Sequence, residues 1–162
     1  MIQIYKAGNE EFEKNGDAVL HPTVCSVEEE LKGSWKMSLE NPADENLNLI
    51  KSGSVIKADT NIGKGQLFRI YEHEKTDSGV TAVAYPIFFD AARETFLLDS
   101  RPTNKTGQQA LDILFSGTRY SGSSDILIAS TAYWQKKNCI EAMNSDDDNS
   151  FLSRWGGEPI YN

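Results

Sequence analysis

The amino-acid sequence predicts an α+β protein, with a β-rich first part over residues 1–90 and a smaller part over residues 91–162 that mixes helix and strand. Three observations carry this prediction. The stretch Gln66–Asp90 holds two apolar-rich arms around Thr76-Asp77-Ser78-Gly79, the pattern of a hairpin, because Asp, Ser and Gly accept tight-turn backbone while the arms favour extended chain. Neither arm alternates cleanly between apolar and polar residues, so both faces are expected to be covered. Such a ribbon suits a barrel, a sandwich or an assembly interface. Helix-capping chemistry, in contrast, is concentrated beyond Asp90.

Met1–Tyr5 forms a short first strand. From Val24 to Leu39, Cys25, Val27 and Leu31 share one parity, and Glu28 and Glu30 occupy the other. Trp35, Met37 and Leu39 follow Lys32-Gly33-Ser34, which together predicts a half-exposed antiparallel hairpin. Asn41-Pro42-Ala43-Asp44 ends it. Ser54–Ala58 is a further strand between Gly53 and the turn Asn61-Ile62-Gly63-Lys64-Gly65, and the long hairpin follows. The character changes near Phe88–Ala92, where Asp90 is placed to cap a single helical turn running through Glu94. Thr106-Gly107-Gln108-Gln109 fits a capping box, Ala110, Leu111, Leu114 and Phe115 form a stripe at helical spacing, and Gly117 suits a left-handed terminus. A second helix starts at Asn138 with Glu141 three residues on, and Ile140 and Met143 are expected to face inward. Asn144–Ser150 is an acidic loop; Phe151, Leu152 and Trp155 are apolar anchors, and Pro159-Ile160-Tyr161 is strand-like.

Composition narrows the function classes. With 39% hydrophobic and 25% charged residues the chain can build a core, which argues against disorder over most of its length. A net charge of −8 works against nucleic-acid binding, since a phosphate-binding patch would oppose the overall field. No apolar run is long enough for a membrane span, and Met1–Lys6 lacks the features of a signal peptide, so a soluble product of the cytoplasm is expected. Cys25 and Cys139 belong to no CxxC or Cys/His cluster and are expected as two buried thiols.

A nucleophile needs a base within hydrogen-bond reach, and the chain has two histidines. His21 precedes Pro22 in a turn. His73 lies in Glu72-His73-Glu74, where strand alternation sends both glutamates to one face and the histidine to the other. A Cys25–His21 pair has no thiol-protease signature around it. Asp146-Asp147-Asp148, with Glu141 nearby, is the best place for a hard cation, but the EF-hand glycine and closing glutamate are missing and a solvated acidic loop is expected. Gly63-Lys64-Gly65 lacks the phosphate-loop frame and is a turn. Asn104-Lys105-Thr106 fits the glycosylation acceptor pattern, without consequence in a cytoplasmic product. Trp35, Trp134 and Trp155, with six tyrosines, could offer stacking platforms, although core packing is expected for most. No catalytic, cofactor-binding or metal-binding residue is therefore assigned.

Five segments carry a family resemblance: Met1-Ile2-Gln3-Ile4-Tyr5, Gln66-Leu67-Phe68-Arg69-Ile70-Tyr71, Ala84-Tyr85-Pro86-Ile87-Phe88-Phe89-Asp90, Leu98-Asp99-Ser100-Arg101-Pro102-Thr103 and Arg154-Trp155-Gly156-Gly157-Glu158. In this order the chain resembles the N-terminal part of siphophage tail-associated hub proteins, the group labelled prophage endopeptidase tail or phage minor structural proteins. The resemblance implies a fold similar to baseplate hub proteins of contractile phage tails and the hub domain of type VI secretion spikes: a tube-like β-barrel domain followed by a small α+β domain. It also implies a trimeric ring at the distal end of the tail tube, in the virion tail tip, with tail-tube and other tail-tip proteins as partners and DNA passing through the channel.

Members of the family are usually longer, with further hub domains and often a C-terminal hydrolase or carbohydrate-binding part. The chain is thus expected to be a leading fragment, its second domain truncated at the C-terminal end. The endopeptidase label does not transfer, because no position matches a peptidase motif. Glu28, Glu30 and Glu72 are expected to line the channel, where like charge discourages DNA from sticking. The alternatives are a cell-wall peptidase using Cys25 or a metal at Asp146–Asp148, and a host-surface carbohydrate-binding module using aromatics such as Trp134.

Overall fold

A computed structural model describes residues 1–30, 35–61 and 63–161. The protein is mixed α+β and divides into two compact units, Met1–Ile87 joined by the last residues from Ile160, and Phe88–Pro159.

The first unit is one antiparallel sheet of seven strands: β1 (Ile2–Tyr5), β2 (Ala18–Leu20), β3 (Val24–Glu29), β4 (Trp35–Pro42), β5 (Val55–Ala58), β6 (Gln66–Thr76) and β7 (Gly79–Pro86). Their order across the sheet is β2-β1-β5-β6-β7-β4-β3. Register explains why these residues pair. Ala18, Ile4, Ile56, Phe68 and Pro86 stand opposite one another across five strands, and Ile70, Ala84, Met37 and Val27 form a second row. Directly paired residues share a face, so both rows build one apolar surface. It forms a single core with Leu47, Leu49 and Ile50 from the connection between β4 and β5. No second sheet covers this surface among the described residues. It is buried because the sheet curls around it as a half-barrel.

The predicted hairpins are present. β6 and β7 pair on either side of Asp77-Ser78, and β3 pairs with β4, although their turn at residues 31–34 lies outside the described residues. Coverage of both faces is not found. In β7, Val80, Ala82, Ala84 and Pro86 are buried while Val83 and Tyr85 are half-buried, so the extra apolar residues lie on the outer face. There Tyr85 meets Tyr71 edge to face at 5.6 Å. The second arm ends at Pro86, which has no N–H to extend the ladder, and Ile87–Asp90 form a 3-10 turn. The register shifts at a bulge between Ile70 and Glu72, so that Ile70 faces Ala84 and Glu72 faces Val83. Beyond it Glu72 and Glu74 stand on the outer face, with His73 and Lys75 on the other, as alternation requires.

Cys25 is exposed, contrary to the expected pair of buried thiols. It faces Leu39 in register, but β3 is the last strand of the sheet, with no further described strand beyond it to complete the cover. The single-chain sheet also does not close into a tube: β2 and β3 are its two ends and do not pair with each other.

The second unit contains α1 (Ala91–Glu94), β8 (Leu97–Ser100), α2 (Gly107–Leu114), β9 (Trp134–Lys137), α3 (Cys139–Asn144) and α4 (Phe151–Trp155). Its core gathers Ala110, Leu111, Leu114, Trp134, Cys139, Phe151 and Trp155, among others. Both predicted capping boxes form, Thr106 with Gln109 and Asn138 with Glu141, and Gly117 adopts a positive φ of 75°. Three expectations are corrected, and the apolar anchors are buried as expected. Asp90 is itself helical in backbone and makes no side-chain cap bond; its carboxylate lies 3.7 Å from Arg93. α3 turns Cys139 and Ala142 fully inward and leaves Ile140 and Met143 half-buried at the margin. The anchors Phe151, Leu152 and Trp155 lie on a short helix, α4, started by Ser150. Pro159–Tyr161 is not a strand, and Tyr161 instead packs edge to face on Trp35 at 5.7 Å while its carbonyl accepts from Gln66 Nε2 at 3.3 Å. The β8–β9 pairing was not anticipated.

Phe68 is 0% exposed in the middle of the five-strand row. Phe68→Ala is expected to destabilise the first unit by about 3–5 kcal/mol in a urea titration. Leu127→Ala, at a side chain 85% exposed in the other unit, should stay within about 0.5 kcal/mol of the parent.

Candidate functional site

The residues weighed for chemistry are placed apart from one another or locked in structural roles. His21 is exposed before Pro22. His73 is exposed on β6, its Nδ1 3.2 Å from Ser52 Oγ, next to the Lys75 Nζ bond to Asn48 Oδ1 at 3.0 Å. These contacts tie the far end of β6 to the β4–β5 connection. Desolvation pushes the Cys25 thiol pKa up, which opposes the thiolate a nucleophile needs.

Among the described residues no group of three or more His, Cys, Asp or Glu side chains could hold a metal ion. The acidic loop explains this locally: Asp147 accepts from Lys137 Nζ and, at 2.8 Å, from the Asn149 N–H, and Glu141 is committed to the α3 capping box. Gly63-Lys64-Gly65 is a turn, with Gly65 at a φ of 66° and its N–H bound to Asp59 Oδ1. Asn104, in the acceptor-like triplet, has a φ of 51° and donates its N–H to Thr131 Oγ1 at 3.0 Å.

The tryptophans are core residues. Trp134 is 0% exposed and donates Nε1–H to the Asn149 carbonyl at 2.8 Å; Trp155 stacks on Phe151 at 5.1 Å and donates to the Lys105 carbonyl. A ligand platform on Trp134 is therefore overturned, because a buried indole whose N–H is satisfied presents no face to solvent.

Two surfaces remain. The first is the outer face of the sheet. Register places Glu28 opposite Lys36, Glu72 opposite Val83, and Glu74 in a row with Thr81 and Glu40. Glu28, Glu40, Glu72 and Glu74 thus share one exposed, acidic face, and Glu30 is exposed just past the end of β3. β3 itself is exposed at every residue except half-buried Val27.

The second is a cleft of about 440 Å³ within the second unit, lined by Glu94–Leu97 and by Ser116–Tyr120. Arg119 donates Nε–H and Nη2–H to the two oxygens of Glu94, each at 2.8 Å, and Tyr120 donates its hydroxyl to Glu94 Oε2 at 2.6 Å. The guanidinium also stands 5.2 Å from the centre of the Tyr120 ring. Burial, reinforced by the bond to Glu94, pushes the Tyr120 phenol up to about 12, so it is a donor at any physiological pH. Sequence reasoning missed this cluster because Glu94 lies 25 residues from Arg119 and no local pattern links them.

No protein-family model matches the chain, and no curated protein matches it. No described helix is long and apolar enough to cross a membrane.

Two outcomes are expected of the folded chain. A thiol reagent should label Cys25 in the folded chain, more slowly than a free thiol because its pKa is raised, and Cys139 only on unfolding, giving one equivalent before denaturation in a colorimetric assay. The Asp17 carboxyl is lowered chiefly by the Lys6 N–H, Asp99 by Arg101 and Asp147 by Lys137, all below the ordinary 3.8. Carboxyls with a lowered folded pKa stabilise above the unfolded value. The urea midpoint should therefore lose their contribution as pH falls below 3.8, and Asp99→Asn should flatten part of that fall.

Proposed function

We propose that this chain is a structural module of a phage tail tip or baseplate hub, assembling as a trimeric ring that joins the tail tube to the host-facing tip. The observation that supports it most is the open seven-stranded sheet with its exposed edge β3. An edge strand offers a row of N–H and C=O groups for pairing with another chain. Head-to-tail contacts between identical subunits pair such edges and close into a ring when the rotation permits. Three curled sheets joined in this way would make the wall of a tube.

The small α+β unit following the sheet agrees with the implied order of domains. The acidic outer face fits the reading when each sheet turns that face, the one away from its apolar core, toward the channel axis. Glu28, Glu40, Glu72 and Glu74 on one surface would repel a DNA backbone passing along it. The proposal assigns no catalysis, cofactor or metal to these residues. Its partners are further copies of the chain, tail-tube proteins and other tail-tip proteins, and its place is the virion tail tip.

Light scattering coupled to size exclusion tests it, on this chain and on the longest natural polypeptide that carries it. The longer polypeptide is expected at three times its monomer mass. The double substitution Val24→Lys/Ser26→Lys, at exposed positions of β3, should leave the thermal midpoint close to the parent and shift the trimer to monomer. A strictly monomeric parent over a wide concentration range would remove the ring.

A further inference from the structure

The cleft of the second unit has chemistry that assembly does not use. Its walls come from separate stretches of chain: Glu94–Leu97, where α1 gives way to β8, and Ser116–Tyr120, which follows α2. The bidentate Arg119 pair neutralises the Glu94 carboxylate. A phosphate would meet a cation already compensated, and a metal ion would meet a carboxylate already held by a guanidinium and a phenol. The cleft favours neither. What it offers is a fixed, net-neutral cluster of Glu94, Arg119 and Tyr120, in a lining that also includes Ser116 and Thr118, the latter's hydroxyl donating to the Phe115 carbonyl.

Beside this array stands an aromatic ring with no core to serve. Phe96 lines the cleft and is 69% exposed. A shallow polar cleft flanked by an exposed ring disfavours an apolar ligand, which needs enclosure, and suits one that is polar at its rim and apolar across one face. Pyranose sugars have that character: hydroxyls around the edge and a patch of C–H groups on a ring face.

We infer that this cleft is a binding site for an uncharged saccharide, whose hydroxyls meet the Glu94–Arg119–Tyr120 array while a C–H face rests on Phe96. Arg119 and Glu94 act together, since each fixes the other in the orientation that the sugar hydroxyls would use. The low burial that a half-open cleft permits makes the interaction weak and suited to multivalent display. This inference is independent of the ring assembly: it concerns a single copy of the chain.

The test is an amide-resolved NMR titration of the full chain with methyl α-glucoside, methyl β-galactoside and N-acetylglucosamine, each to saturation or its solubility limit. At least one sugar is expected to give saturable shifts centred on residues 94–97 and 116–120. Phe96→Ala removes an exposed side chain, so the spectrum should stay folded while the affinity falls about tenfold or more. Arg119→Lys keeps the charge and loses the bidentate bond, and should weaken binding with little change in thermal midpoint. Leu127→Ala, outside the cleft lining, should bind as the parent does. Absence of saturable shifts with all three sugars, shifts centred elsewhere, or binding indifferent to Phe96→Ala would each overturn the inference.

Discussion

The first unit depends on one constraint: among the described residues its sheet has no second layer to pack against. The inner face must therefore be closed by curvature, which brings Ile4, Ile56, Phe68, Ile70 and Met37 into one core with Leu47, Leu49 and Ile50. All of the strand residues in that set are at most 1% exposed. Burying such side chains contributes roughly 1.5–3 kcal/mol each, so the curl is worth more than any polar contact in the unit. It also dictates the weakness. A sheet that closes over its own core without joining its ends leaves two edges, and the longer of these, β3, is where the unit has main chain to offer another molecule.

The second unit solves a different problem. Its helices have between four and eight residues, too short to persist alone. Capping boxes at Thr106 and Asn138 satisfy the helix starts, and the aromatic group of Trp134, Phe151 and Trp155 supplies the surface they pack on. Surface ion pairs add little, since exposed pairs contribute only about 0–1 kcal/mol. The Glu94–Arg119–Tyr120 cluster is better understood as a means of orientation than of stability. Charge cancellation within it leaves the cleft without a net charge, beside the exposed ring of Phe96.

The two surfaces are also separate in kind. β3 and the acidic outer face present repeated main-chain and charged groups. The cleft is a local, side-chain site on the other unit. Under the two proposals made above, the sheet serves as scaffold and the cleft as a weak receptor for small polar groups.

Local signals in the sequence determined the hairpin arms, the capping boxes, the left-handed Gly117, the acidic loop and the α+β class, because each rests on neighbours within a few residues. Alternation likewise separated His73 from Glu72 and Glu74. Tertiary structure alone decided the rest. Cys25 has the parity of a core residue but sits on the outermost strand, so exposure followed from sheet order. Val83 and Tyr85 look like a second buried face but lie on the outside, because a single curled sheet has only one interior. Trp134 could have been a platform or a core residue until β9 paired with β8 and turned it inward. Glu94 and Arg119 are anonymous charges in the sequence, and only the packing of α1 against the chain after α2 makes them a site. The physical reason is common to all four: burial and convergence depend on long-range neighbours, and no short window of sequence contains them.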